Sequence, residues 1–345
     1  MKAREALSMT LAAPAVLSSK KNFTANPVIG SAQFNERGLH RWRVERSHAM
    51  SNRRRAAMAA KLDPAEREAF DRDGYVIREN ALPPELFEAF SAELEANRRK
   101  AWEMVQGDTA TRLMPLPVSD GSAGAKVRSY LRSPIFRDLT GYAAGRSGGY
   151  NPVLQTVAVN PDPSRPDPQV TLHADTFHPT AKFWLFLHDV NIEDGPFAFA
   201  PGSHRLTPER LAWEHEQSLK ATSAGHNEHH AGGSFRMSEE GLKALGYDRP
   251  VTPLPVKANT FVVADTYGFH RRTAAQKPNA RVAIHGMLRR NPFLPWNGAD
   301  PSEIPGVDGR LIWLLFASRD AMARIGKPNK YRSVGEKLAG DISVG

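Results

Sequence analysis

The sequence predicts a mainly β chain with flanking helices, of the sandwich or jelly-roll class, and three observations carry that reading. From about residue 126 the chain runs in short apolar stretches broken by Gly, Pro, Asn and Asp. Ahead of them lie two capped helical patterns, the order expected of helices packed on one antiparallel core. With 345 residues, 41% of them hydrophobic, a sizeable core forms without covalent staples. The chain has no cysteine, which excludes a disulfide scaffold, a thiolate zinc site, an iron–sulfur cluster and a cysteine nucleophile. No apolar run approaches the ~18 residues of a membrane span, and a reducing cytoplasm suits a cysteine-free protein.

The net charge of +9 is localised. Residues 1–62 hold twelve Lys/Arg against three Glu, while residues 63–345 hold 34 of each sign. The basic segment includes Arg41, Arg43, Arg46 and the run Arg53-Arg54-Arg55, with few periodic apolar residues, and reads as a disordered tail. Met50 offers an alternative start, and the stretch Met9 to Leu17 is a poor signal-peptide core, interrupted by Pro14. Because the remainder is neutral, nucleic acid is not the expected partner. A folded domain over 63–345 is expected to hold its structure and turnover without the tail.

Order is expected from Asp63, an N-cap followed by Pro64 at the first helical position with Glu66 placed for a capping box. That helix ends at Asp73-Gly74, and Tyr75-Val76-Ile77 reads as a strand. Pro83-Pro84 opens a second helix, expected over 82–102, with Leu86, Phe87, Phe90, Leu94 and Ala101 on one face. Strands are expected at 126–130, 153–159, 169–174, 182–190, 197–200, 253–257, 260–265 and 280–288. Residues 205–250, rich in Glu, His and Gly, read as an insertion over one end of the barrel, and Leu311 to Phe316 as part of a C-terminal helix.

The chemistry centres on His173-Ala174-Asp175. Twelve His and seventeen Asp give ~0.6 His-x-Asp triplets by chance in a chain of this composition, so the triplet alone decides nothing. Its setting adds weight: on a strand, residues i and i+2 face the same side, and a second histidine, His270, follows the run Phe261 to Ala264. Two His and one carboxylate make the facial triad of non-haem Fe(II) oxygenases, which leaves three metal positions open. A bidentate 2-oxo acid would take two and O2 the third. The far carboxylate of that acid needs an anchor, and Arg281 offers a planar two-pronged one. On the 280s strand Arg281, Ala283, His285 and Met287 share a face, with small Ala283 leaving room beside the arginine.

The ordered set Phe70-Asp71-Arg72-Asp73-Gly74-Tyr75-Val76, His173-Ala174-Asp175, Trp184, Glu193-Asp194-Gly195-Pro196, Pro201-Gly202-Ser203-His204, His270 and Arg281 resembles the phytanoyl-CoA dioxygenase family of Fe(II)/2-oxoglutarate oxygenases. The likeness covers about residues 63–290. It implies a double-stranded β-helix (jelly roll, cupin-like), with His173, Asp175 and His270 as iron ligands and Arg281 as the 2-oxoglutarate anchor. It also implies a cosubstrate pocket near Trp184 and Gln155, O2 as co-reactant, and ascorbate as an aid in vitro. Relatives commonly carry a small hydroxylated residue two places after the distal histidine. Here that place is Arg272 with Thr273 next, so Thr273 is the candidate to assist the anchor. Asp175 is retained where halogenating relatives lose it, which favours hydroxylation.

Bland readings stand beside these. His178, His188 and His204 read as structural, Asp265 as a turn residue, and His285 as an inward residue near the site. The cluster His226, Glu228, His229, His230 reads as a solvated loop. The expected function is hydroxylation of a small organic molecule with release of succinate and CO2. The alternatives are desaturation or epimerisation on the same iron centre, or a non-catalytic jelly-roll ligand-binding protein.

Overall fold

The computed structural model describes residues 3–117, 121–223, 231–295, 304 and 307–343. Its strands are β1 (Tyr75–Arg78), β2 (Arg99–Gln106), β3 (Thr109–Pro115), β4 (Val153–Val159), β5 (Ala181–Phe186), β6 (Phe197–Phe199), β7 (Thr252–Pro253), β8 (Thr260–Asp265), β9 (His270–Arg272), β10 (Asn279–Leu288) and β11 (Arg332–Lys337). Eight of them form one sheet in the order β1-β8-β5-β10-β4-β3-β2-β11, and β7-β6-β9 form a small second sheet. Neighbours in both sheets are antiparallel. This is the jelly-roll, double-stranded β-helix arrangement.

Alternation along the strands divides the large sheet into two faces. Phe183, Leu185, Phe261, Val263, Val282 and Ile284 point outward. They pack on helices α4 (Pro64–Asp73), α5 (Pro84–Ala96), α6 (Ala123–Leu131) and α7 (Pro134–Ala143) through Phe70, Phe90, Val127 and Phe136. The intervening residues Trp184, Phe186, Val262 and Ala283 point inward and meet Phe197, Val190 and Leu254 from the small-sheet side. The outer face is a dry helix–sheet core. The inner face carries the polar residues, and it faces the second sheet.

Several expectations are corrected. Residues 126–130 are not a strand but part of α6: the Ser122 hydroxyl accepts the Ala125 amide as N-cap, and Val127 and Leu131 then sit one turn apart on the buried face. The second helix stops at Ala96, where Asn97 turns extended, and residues 99–106 pair as β2 with β3. Ala101 and Trp102 belong to that strand. The unassigned stretch after residue 102 therefore contains a hairpin, turned at Gly107 with φ +60, where a Cβ would come within 2.4 Å of the Pro166 carbonyl oxygen. Residues 169–174 hold a short 3-10 turn (Pro168–Val170) and then a single bridging residue, not a strand. Of 253–257, only Pro253 belongs to a strand, and Val256 makes a lone bridge to Val190.

The largest difference lies at the N-terminal end, where the expected disordered tail is helical and docked. It forms α1 (Ala3–Ala12), α2 (Ala32–Glu36) and the 20-residue α3 (Leu39–Met58). The buried residues of α3 are His40, Arg43, Val44, Ser47, His48 and Ser51, a stripe of helical period built mostly from polar side chains. Several of the helix's polar side chains find partners. Arg43 donates to the carbonyls of Val16, Ser18 and Lys20 and lies over the Phe177 ring at 4.2 Å. Arg55 donates to the carbonyls of Tyr142 and Ala143 at the end of α7 and to Asp265 at 2.7 Å. His40 meets Glu214 at 2.9 Å on α8 (Pro208–Thr222), the helix that opens the expected insertion. A second insertion helix spans Glu239–Ala244, and the C-terminal helix spans Asp308–Arg324. His226, Glu228, His229 and His230 lie outside the described residues.

Candidate metal and cosubstrate site

His173 and His270 are joined backbone to backbone. Each amide donates to the other's carbonyl at 3.0 Å, so an isolated antiparallel bridge sets the two rings side by side with centroids 4.5 Å apart. Asp175 is fixed by its own amide, which donates to Thr266 at 2.9 Å. The triplet therefore gathers through an irregular loop pinned at two points, not through strand alternation. One ligand atom from each of His173, Asp175 and His270 lies within 4.8 Å of the other two.

The tautomers follow from the neighbours. His173 Nδ1 lies 2.8 Å from the Thr171 carbonyl and His270 Nδ1 lies 2.9 Å from the Gly268 carbonyl. A carbonyl accepts only, so both Nδ1 atoms carry hydrogen and both Nε2 lone pairs face Asp175 Oδ1, at 3.9 and 3.8 Å. Lys182, inward on β5, holds Asp175 Oδ2 at 2.6 Å, leaving Oδ1 as the free donor. Burial holds both imidazoles below their ordinary range, His270 at about 4, so they stay neutral. Burial alone would raise Asp175; the Lys182 ammonium outweighs it and keeps the carboxyl ionised. Two neutral nitrogens and one carboxylate oxygen are the donor set that suits a divalent iron.

Beside the triad a cavity runs across the inner face of β4, β5 and β10, lined by Gln155, Trp184, Phe197, Arg281, Ala283 and His285 among others. Gln155 and Phe186 flank Ala283 in the register, while Val157 lies opposite Arg281. Trp184 packs on Phe197 and His285, with centroids 4.8 and 5.5 Å away. The Arg281 guanidinium makes no hydrogen bond or ion pair among the described residues, and its Nε is wholly buried. Burial, and then Arg272, bring it down to about 9. An uncompensated buried cation is costly unless an anion completes it.

Thr273 lines an adjoining cleft together with Arg281, and its hydroxyl is engaged, donating to the Pro196 carbonyl at 2.9 Å. Arg272 is likewise engaged, with Asp167 at 2.8 Å and the Thr111 hydroxyl at 3.2 Å. Asp265 is a turn organiser: Oδ1 accepts the amides of Thr180 and Tyr267, each at 3.0 Å. Ser203 accepts the Phe269 amide at 2.8 Å, which ties the Pro-Gly-Ser-His turn to the residue preceding His270. His204 packs edge-on against Phe70 and beside Gly74. The two segments read as a family opening and a turn motif thus meet in space. Lys182 was not singled out in the sequence, although it stands two residues before Trp184 and so in the same inward phase. Lys21 had no sequence signal: its ammonium donates to the Asp175 carbonyl and to the Ser234 hydroxyl.

Residues 70–271 match the phytanoyl-CoA dioxygenase (PhyH) family over more than half of the chain. The chain belongs to that family. No curated protein sequence gives a significant match. Among solved structures, the chain is similar to the non-haem α-ketoglutarate-dependent epimerase SnoN from nogalamycin biosynthesis, with 20% identity, TM-score 0.44, and 69% of this chain and 93% of that one covered. It is similar to EctD from S. alaskensis with 2-oxoglutarate and 5-hydroxyectoine (15% identity, TM-score 0.40, 66% and 76% covered). A third is HygX from Streptomyces hygroscopicus with nickel, 2-oxoglutarate and hygromycin B (13% identity, TM-score 0.40, 66% and 86% covered).

Proposed function

We propose that this member of the PhyH family is an Fe(II)- and 2-oxoglutarate-dependent dioxygenase that hydroxylates a small organic molecule and releases succinate and CO2. The observation that carries the reading is Arg281: a half-buried arginine, its Nε wholly buried, that makes no hydrogen bond or ion pair among the described residues and lines the same cavity as His173 and His270. A ligand-binding jelly roll gains nothing from that pairing. A 2-oxo acid needs both ends of it.

His173, His270 and Asp175 would hold the iron, which supplies activation of O2 and oxidation of a substrate C–H bond. The chain's own work is positioning. The Thr171 and Gly268 carbonyls fix the two imidazole tautomers. Lys182 neutralises Asp175 Oδ2 and turns Oδ1 to the metal side. Arg281 receives the far carboxylate of 2-oxoglutarate, with Trp184, Phe186 and Phe197 excluding water from the cavity between. Hydroxylation is favoured because Asp175 keeps a carboxylate in the ligand set.

The test is the apparent KM for 2-oxoglutarate, followed by succinate release. A charged hydrogen-bond pair contributes roughly 1.5–3 kcal/mol, or about 10- to 150-fold. Arg281→Ala is expected to raise KM by about that factor with iron affinity nearly unchanged, and Arg281→Lys to recover part of the loss. A large effect from Arg272→Ala with none from Arg281→Ala would move the anchor to the loop after His270.

A further inference from the structure

β10 places a cation at each end of one face. Arg289 follows the last strand residue in the same phase as Arg281, eight positions on, or roughly 25 Å away at the rise of a strand. A five-carbon diacid reaching from Arg281 to the triad does not also span to Arg289. The second arginine serves a different molecule.

Arg289 lines a second chamber with Tyr150, Met287, Ile312 and Tyr331, and this chamber shares Gln155 and His285 with the cosubstrate cavity. The two spaces therefore adjoin. Among the described residues no Asp or Glu lines the second chamber. Arg289 makes no hydrogen bond or ion pair among the described residues, although Arg290 beside it is partnered. Lys21, a near electrostatic neighbour of Arg289, donates only to neutral oxygens, and the one carboxylate close to both, Asp175, is already held by Lys182. Arg289 thus borders this side of the site without a carboxylate of its own, with Lys21 close by. Aromatic and aliphatic side chains complete the wall.

We propose that the substrate is an oxyanion, a carboxylate or phosphate ester with an apolar body. Its charged group is held by Arg289 with Lys21 beside it, and its body lies against Tyr150, Met287, Ile312 and Tyr331. The reading rests on the triad and Arg281 as the iron and 2-oxoglutarate site. A charged group held there keeps the molecule beside Asp175 and the metal side of the site, within reach of the C–H oxidation proposed above.

Calorimetric titration of the full chain loaded with Ni(II) and 2-oxoglutarate tests it, so that Arg281 is already occupied. The probes are 4-phenylbutanoate, 4-phenylbutyl phosphate and the neutral 4-phenylbutanamide. At least one anion is expected to bind about 10-fold or more tightly than the amide, and the tighter anion identifies the group. Arg289→Gln is expected to abolish that preference while binding 2-oxoglutarate as before, which also shows that the variant is folded. Lys21→Met is expected to reduce the preference in part. Equal binding of all three probes, binding of none, or a preference intact in Arg289→Gln overturns the proposal. If the wild-type chain with Ni(II) alone binds the anions but not 2-oxoglutarate, the chamber stands and the cosubstrate reading falls.

Discussion

His173, Asp175 and His270 owe their aim to contacts made within a few residues of themselves: the carbonyls of Thr171 and Gly268, the mutual bridge, and the Thr266 carbonyl. Replacing any of the three by alanine is expected to leave a folded chain that no longer retains one iron per molecule, checked by metal analysis after gel filtration beside an unfolding curve. Lys182→Met removes only the hold on Asp175 Oδ2. Outer partners of metal ligands are typically worth 10–100-fold in metal affinity or activity, so a loss of about that size is expected in a competitive metal titration, with the triad intact. Full wild-type affinity in Lys182→Met would show that Asp175 needs no such hold. The triad residues were legible because their types and order are rare in combination. That the Thr273 hydroxyl is taken up by the Pro196 carbonyl is a property of its turn, which no spacing rule reveals.

At the scale of elements, strands with a sustained apolar run were readable and those without one were not. β4, β8 and β10 each present a long apolar run, and each lies close to its expected bounds. β2 and β11 carry Arg, Lys and Glu, because they lie at the sheet edge under the C-terminal helix, where Trp102 stacks on Phe316. Helix α3 escaped for a sharper reason: its buried stripe is regular but polar, and a search for hydrophobic period passes over it. The consequence reverses the expectation that residues 1–62 are dispensable. A chain beginning at Asp63 would leave Glu214 without His40, Asp265 without Arg55, and the Asp175 carbonyl without Lys21. Breaking one buried pair by removing a partner costs about 3–5 kcal/mol. Arg55→Ala is therefore expected to lower unfolding free energy by about that amount in urea titration, with the truncated chain less stable still. An unchanged midpoint in Arg55→Ala would show that α3 is held in some other way.

Across the whole molecule, burial of neutral histidines sets the acid limit. His40, His48, His178 and His204 all lie below the ordinary imidazole value of 6.5, burial being the first cause in each, with His178 at about 3. Their folded-state values are depressed, so the unfolded chain takes up protons that the folded chain refuses. The stability they confer is complete above about pH 6.5 and declines as pH falls toward the folded-state values, at up to about 1.4 kcal/mol per pH unit for each group. Urea midpoints are expected to drop between pH 7.5 and pH 5.0. A constant midpoint would contradict the burial of these rings as neutral groups.

The central claim, that three side chains and Arg281 form one iron and 2-oxoglutarate site, is met most directly by succinate release. Purified protein supplied with 2-oxoglutarate and O2 is expected to form succinate only when Fe(II) is added, and to lose that activity in His270→Ala and in Asp175→Ala. Succinate formed at an undiminished rate by either variant, or by the wild-type chain in excess chelator, would contradict the account.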